Sequence, residues 1–510
     1  MIRSDLQKSG LELDVGNRVC SNRIHSVLIP EAKRRRFEKQ TWEWKPTIIS
    51  HHGETFSDIF ADLFYYNLIR CFNAESVYCR SGSLFREVFT MWKYMCRRQL
   101  LTLFLAFLGG FLMTLMFSSS DLFLQVLQET LPAQTAAMFT SNPYLLCLSA
   151  GLGFAGLVNV FLLGNLITTY YSGSMFLILF VLILIPDMVI MAGLLTLPVM
   201  IIVSIYGWIS LILTQKKKLK EAGINGDDDI VADYLIRHPM DEEYEPLGHS
   251  VKKTVTTVQF AYFLGFVACF CVLFFLDNIW IVMILLFVCM FAFQQLNRMR
   301  TSAFESIAQL LYDKCDPEAC MSALIAYSQR GKHYKLSNRA LISQCLIYLD
   351  EPKLAQDVLI CYQRGTMNAQ LSYYTLMGNS DYQLKDEEGL KRCAQEITRL
   401  RMPRGAMGMM IKSQQLGMLE NKIHLMDGDF NESKKYFLAL LKAVPYNAMK
   451  AECCYYIALI SFVQEDYVVA KMYFEKTISS GGRLYYVEKA QNYLDKIAQS
   501  QLIEESYEDQ

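Results

Sequence analysis

Carboxylate runs, a histidine pair and a glycine-rich sextet are the residues of this chain whose types and spacing invite chemistry. Asp227 to Asp229 and Asp241 to Glu243 crowd acids into "INGDDDIVADYLIRHPMDEEYEPLGHS". A loop wraps Ca²⁺ when its acids alternate as D-x-D-x-D-G. These run consecutively, which points away from a metal site. His51-His52 fails as a ligand pair because adjacent side chains diverge on regular structure. "GLGFAG" lies inside an apolar run, where glycines serve close helix packing rather than phosphate binding. Ser149 with Gly153, and Gly151 with Ala155, are small residues four apart there. Asp187 and Asp277 would mark a transport route if buried in lipid, but both fall where a short hairpin should reach the interface and read as turn residues. Asn159 and Asn165 read as helix glue. The cysteines are scattered and none forms a C-x-x-C pair, so they read as reduced, buried thiols. No nucleophile stands beside a base. The expectation is no enzyme, no cofactor, no metal and no nucleic acid.

The elements that must position these residues are set by hydropathy. With 53% hydrophobic and 19% charged residues, the chain lies outside the soluble range and points to a membrane. No Lys or Arg occurs between Arg98 and Lys216, nor between Lys253 and Arg298. A spanning helix needs about 20 apolar residues, and six segments fit, at 99–118, 143–167, 174–192, 194–213, 257–276 and 279–296. The third and fourth are expected to be divided around Pro186, Asp187, Gly193 and Pro198. Arg97-Arg98, "QKKKLK", Lys252-Lys253 and Arg298/Arg300 all fall on one side with six spans. The retention of cations in short cytoplasmic loops then makes both termini cytoplasmic. No cleavable signal peptide is visible, so the first span is expected to act as its own insertion signal. A bacterial cell membrane is favoured over an organelle.

Before the first span, Phe56, Ile59, Phe60, Leu63, Phe64 and Leu68 recur at helical spacing. "SLFREVFTMWKYMCRR" aligns Phe85, Val88, Phe89 and Trp92. Two amphipathic helices are expected, either packed on a cytoplasmic domain or lying in the lipid interface. "KRRR", near Trp42 and Trp44, is a solvated basic run or a contact for anionic headgroups.

After Arg300 the apolar period becomes 3.6 and a unit recurs. In "GDFNESKKYFLALLKAVP" the turn Gly428-Asp429 precedes Phe430, Ser433, Phe437 and Pro445; in "EDYVVAKMYFEKTISSGG" the turn Glu465-Asp466 precedes Tyr467, Ala470 and Phe474. "LDEPKLAQDVLICY" places Ala355 and Leu359 equivalently, and "KDEEGLKRCAQEI" places Gly389 and Cys393. The small residues Ala355, Gly389, Ser433 and Ala470 are spaced by 34, 44 and 37. A small residue on the second helix of a hairpin lets the first cross close to it. Each hairpin then needs a neighbour to bury its remaining face. The pattern over 335–484 resembles the tetratricopeptide (TPR) family. "FESIAQLLYDKCDPEACMSALIAY" is a candidate degenerate hairpin joining the last span to the array, and "LYYVEKAQNYLDKIAQSQ" a terminal cap.

The expected fold is therefore all-α: a polytopic membrane domain of about six spans, followed by a cytoplasmic TPR-like α-solenoid. The divisions are 1–96, 97–298 with an acidic cytoplasmic loop at 216–255, and 301–505. The resemblance implies a groove for a protein or peptide partner, lined by Gln344, Tyr348, Tyr374, Tyr382, Gln415, Met418, Lys422, Tyr455 and Leu459. That lining is aromatic and neutral apart from Lys422, which suits an apolar or aromatic segment better than an acidic tail. The functional expectation is a membrane-anchored scaffold or adaptor that recruits or positions a protein partner. The alternative is a transporter or channel component whose repeat domain is regulatory.

Overall fold

The computed structural model describes residues 78–118, 125, 129, 132–170, 186–275, 279–400 and 406–508. The helix at 56–70, the basic run with Trp42 and Trp44, His51-His52, and Asp277 fall outside the described residues, as does most of the span expected at 174–192. The membrane side is built from α1 (Tyr78–Phe117), a short α2 (Ala133–Ser141), α3 (Pro143–Tyr170) and α4 (Pro186–Glu221). Next come α5 (Asp227–Arg237), α6 (Glu245–Phe275), α7 (Ile279–Tyr312) and α8 (Pro317–Ser328), and a two-stranded antiparallel hairpin of β1 (Gln329–Arg330) and β2 (His333–Tyr334). Then follow α9 (Arg339–Tyr348), α10 (Pro352–Ile360), α11 (Met367–Leu384), α12 (Glu387–Arg399), α13 (Ala406–Asp427), α14 (Phe430–Ala443), α15 (Asn447–Val463), α16 (Tyr467–Ser480) and α17 (Tyr485–Glu508). Among the described residues the fold is all-α apart from that hairpin.

Among the described residues, three helices are long and apolar enough to cross a membrane, at Trp92–Met116, Pro143–Gly164 and Met191–Glu221, against the six segments expected. The segment beginning at Ser83 is not a separate amphipathic helix. It runs without a break into the first apolar stretch as α1. The division expected near Gly193 is also absent, since α4 begins at Pro186 and carries Gly193 and Pro198 in its interior. Proline is tolerated at a helix start because that N–H has no intrahelical partner. Gly193 has a packing role instead: a Cβ there would lie 2.2 Å from the carbonyl oxygen of Gly156. Asn159 sits one turn further along α3, where its Nδ2 donates to the Gly193 carbonyl (3.2 Å) and to Thr196 Oγ1 (2.9 Å). α3 and α4 therefore run parallel. Gly151 backs onto Phe107 of α1 and Ala155 is buried beside Leu103 and Leu197, whereas a Cβ at Gly153 would meet no neighbour among the described residues. Among the described residues, the small-residue pair that makes helix contact is Gly151 with Ala155.

The array is a run of helical hairpins whose turns share one device. Cys315, Asp350, Lys385, Gly428 and Glu465 each adopt a left-handed conformation between the two helices of a hairpin. For the non-glycine residues this costs roughly 1–2 kcal/mol. In three of the turns the next residue offsets it: Asp316, Asp386 and Asp466 accept from the N–H of Ala319, Gly389 and Val469, capping the second helix. Because Cys315-Asp316 is one of these turns, the end of α7 and α8 form a further hairpin of the series. Ala355, Gly389, Ser433 and Ala470 all lie buried on the second helices, and Phe437 and Phe474 are fully enclosed one turn later.

The segment expected as an acidic loop is structured and partly buried. Ile230, Val231 and Tyr234 of α5, and Val251 and Val255 of α6, belong to the same hydrophobic core as the repeats. The acids at the start of α5 are spent on protein donors. Asp227 accepts from the Leu336 N–H (2.8 Å) and pairs with Arg339, while Asp228 accepts from the Tyr334 N–H (2.6 Å) and pairs with His333 (2.8 Å). The Tyr334 bond and then His333 hold the Asp228 carboxyl below the usual range. The run of acids thus clamps the β-hairpin.

Candidate functional site

The residues assigned to a groove come from four helices of the array, α9, α11, α13 and α15. Tyr348, Met418, Lys422 and Tyr455 are buried, while Gln344, Tyr374, Tyr382, Gln415 and Leu459 are partly exposed. Lys422 is 2% exposed and its ammonium lies 3.0 Å from Glu452 Oε1, itself 4% exposed. It also donates to Asn379 Oδ1 (2.8 Å) and stands over the rings of Tyr382 and Tyr456, 5.4 and 5.3 Å from their centroids. The Tyr348 hydroxyl donates to Glu452 Oε2 (3.3 Å). Burial, and then the Glu452 charge, push the Tyr348 hydroxyl pKa well up, keeping it a neutral donor. Around this pair, Tyr456 stacks on Phe437 (4.9 Å), Tyr455 meets Tyr486 (5.0 Å) and Tyr348 meets Tyr486 (6.1 Å).

This arrangement differs from the open, neutral groove expected. Tyr348, Met418, Lys422 and Tyr455 are removed from solvent because the array winds until its end meets its beginning. Tyr446 packs on Tyr312 (5.2 Å), and Asn447 Nδ2 donates to the Asp313 carbonyl (2.9 Å). The Arg483 N–H donates to the Cys315 carbonyl (2.9 Å), and Lys489 pairs with Asp350 (3.0 Å). The interior is then filled by the chain's own tyrosines. A lysine without Glu452 would be an uncompensated buried charge; with it, and with two ring faces, the ammonium is fully engaged. Lys422 cannot at once hold Glu452 and a partner's carboxylate.

Glu452 was legible as the only acid in the apolar helix "NAMKAECCYYIALISFV", a pattern that asks for a buried partner. Asn379, Tyr456 and Tyr486 carried no comparable signal, because each is one polar or aromatic residue among many.

Two contacts tie the array to α6 and α1. A Cβ on Gly248 of α6 would lie 2.2 Å from the Ala323 carbonyl oxygen and 2.8 Å from Ala326 Cβ, so α6 and α8 touch backbone to backbone. Arg364, between α10 and α11, donates to the Tyr94 hydroxyl of α1 (3.0 and 2.8 Å) and stacks over Tyr373 at 4.1 Å. Gly365 beside it faces Met95, whose Cγ would lie 3.3 Å from a Cβ at that position. Among the described residues, no group of three His, Cys, Asp or Glu side chains is placed to hold a metal ion.

No known protein family, curated protein or solved structure matches the chain. The tetratricopeptide likeness therefore rests on turn chemistry, small-residue placement and hairpin packing alone.

Proposed function

We propose that the chain is a multi-pass membrane scaffold whose TPR-like array positions a protein partner at the cytoplasmic face. The observation that carries this reading is the shared core of α5, α6 and the repeats, which mounts the array rigidly rather than on a tether. A rigid mount is useful when a partner must be held at a defined height and angle. In this reading the bundle has the six spans expected from the sequence. The parallel course of α3 and α4 supports it, because parallel neighbours in sequence need the chain carried back between them. The partner segment touches the groove positions that keep exposure, Gln344, Tyr374, Tyr382, Gln415 and Leu459.

Photo-crosslinking from Gln415 in intact membranes, followed by mass spectrometry, tests this. The same protein should be captured repeatedly and lost on Tyr374→Ala; capture of lipid alone, or of nothing, would count against an adaptor. A reporter near Gln134 should lie opposite one at the C-terminus, and finding both on one side would overturn the topology.

The transporter reading keeps one supporting observation. Gln99 Oε1 and Asn159 Oδ1 are buried in the bundle with no hydrogen-bond partner among the described residues. Ion flux through the reconstituted chain, reduced by Asn159→Leu, would favour it over the scaffold.

A further inference from the structure

Most of the array's surface is polar, but the first turns of α13 are not. Met409, Met410 and Ile411 are 56%, 63% and 39% exposed. Among the described residues of the array, no other three consecutive large apolar side chains face solvent. Methionine and isoleucine in contact with water lose the free energy that burial would return, so a contiguous patch of this kind marks a contact surface.

The position of the patch in the hairpins identifies what covers it. Arg364 and Gly365 meet Tyr94 and Met95, which lie within three residues of where the first apolar stretch begins at Trp92. α11 starts two residues after Gly365 and runs away from that contact. α12 returns antiparallel, so Leu400, just beyond its end, and Met367, at the start of α11, are buried in one cluster. α13 begins at the same end: Lys412 Nζ donates to the carbonyls of Thr398 (2.8 Å) and Leu400 (2.7 Å), closing the C-terminus of α12. The patch is thus on the rim of the array that faces the bilayer. Arg399, paired with Glu396 at 2.6 Å, is exposed at the same end, and Lys216 and Lys220 line a hollow at the end of α4, the helix that packs against α10. Exposed apolar residues with a cation at the same end match a leaflet of anionic phospholipid, in which the apolar side chains enter the headgroup boundary and the cation stays at phosphate level.

We propose that Met409, Met410 and Ile411 insert shallowly into the anionic leaflet at which the array is mounted, giving the repeats a second attachment besides the helices. This rests on the membrane reading of the chain but not on any protein partner. The test uses the full chain carrying a photo-crosslinking amino acid at Met410 or, for comparison, at Glu388, which is exposed at the other end of the neighbouring hairpin. Each variant is placed in nanodiscs of zwitterionic lipid or of lipid that includes an anionic fraction, and in its native membrane. Phospholipid adducts at least several-fold more abundant from position 410 than from 388, and higher still with anionic lipid, are expected. Equal lipid yields from the two positions would overturn the proposal, as would a protein adduct, to a partner or a second copy, dominating at 410 in the native membrane. Release of the chain by alkaline carbonate would instead refute the membrane reading itself; retention with no lipid adduct at 410 refutes only the patch.

Discussion

The membrane bundle and the repeat array both bring helices into backbone contact, yet they turn their apolar side chains in opposite directions. In the bundle, Gly193 meets Gly156 while Leu195, Val199, Ile202 and Phe104 face outward, as expected where the surroundings are as apolar as the side chains and only close packing and hydrogen bonds distinguish one face from another. In the array, Ala355, Ser433 and Ala470 make the close approaches while Phe437, Phe474, Tyr456 and Tyr486 are sealed inside, because there water drives apolar area inward. Polar groups follow the same division. Asn159 in the bundle donates twice across to α4, a local adjustment, whereas Lys422 and Glu452 join helices from different hairpins at the centre of the array. Solvent outside decides which contacts can carry stability.

The largest effect should come from breaking the buried pair. Lys422→Met leaves Glu452 buried without its counter-charge, at a cost of about 3–5 kcal/mol. Near-UV circular dichroism of the array's tyrosines, followed during heating of the full chain in detergent, should show an early melt. Combining it with Glu452→Leu should restore most of the loss, and a single variant that melts like the parent would show that the pair does not hold the core.

Next comes the seam between the two regions. Gly248→Val should cost ~1–3 kcal/mol by overpacking against Ala323 and lower the same melt. Gly193→Val, equally crowded but inside the bundle, should leave it unchanged. If both substitutions shift the tyrosine signal alike, the two regions unfold as one and the comparison fails.

A smaller, stabilising change is expected at Asp357 on α10. Burial, and then the nearby Asp233, raise its carboxyl to about 6 from an ordinary 3.8. The folded chain binds that proton more tightly than the unfolded chain does. Stability from this group is therefore fully present below about pH 4 and lost as pH rises through about 6. Asp357→Asn should match the parent near pH 4 and gain about 1 kcal/mol near pH 7.5, a rise in Tm of ~2–4 °C. Equal Tm values at both pH values would show that the carboxyl is solvated.

The smallest effect is in the bundle. Asn159→Leu removes two hydrogen bonds and an unpartnered oxygen together, and bonds between membrane helices average ~0.6 kcal/mol. A large loss in resistance of the bundle to denaturing detergent would mean that Asn159 does more than join α3 to α4.

The hairpins of the array were readable because their determinants are local. Gly428-Asp429 and Glu465-Asp466 are turn signals, and Ser433 and Ala470 follow at fixed offsets, so the same few residues set both the turn and the close crossing. The apolar stretches were readable for a similar reason, since length and the absence of cations need no partner to be seen. The groove was not. Tyr348 and Tyr455 have the spacing of lining residues, but whether such residues face solvent depends on how far the array winds, and that is the sum of small rotations at every hairpin. The acids of α5 misled in the same way. Asp227 and Asp228 read as solvated loop, and their partners Arg339 and His333 lie more than a hundred residues away.

Composition and periodicity by themselves determined that this chain is helical, that part of it is apolar enough for a membrane, and that the remainder repeats as hairpins with small residues at their crossings. Only the tertiary structure decided that the array closes on its own beginning, that Lys422 is spent on Glu452, and that α5 and α6 belong to the repeat core. The physical reason is range. Propensity, capping and hydropathy act within a few turns of helix, whereas a buried ion pair or a shared core exists only once distant segments have excluded the water between them.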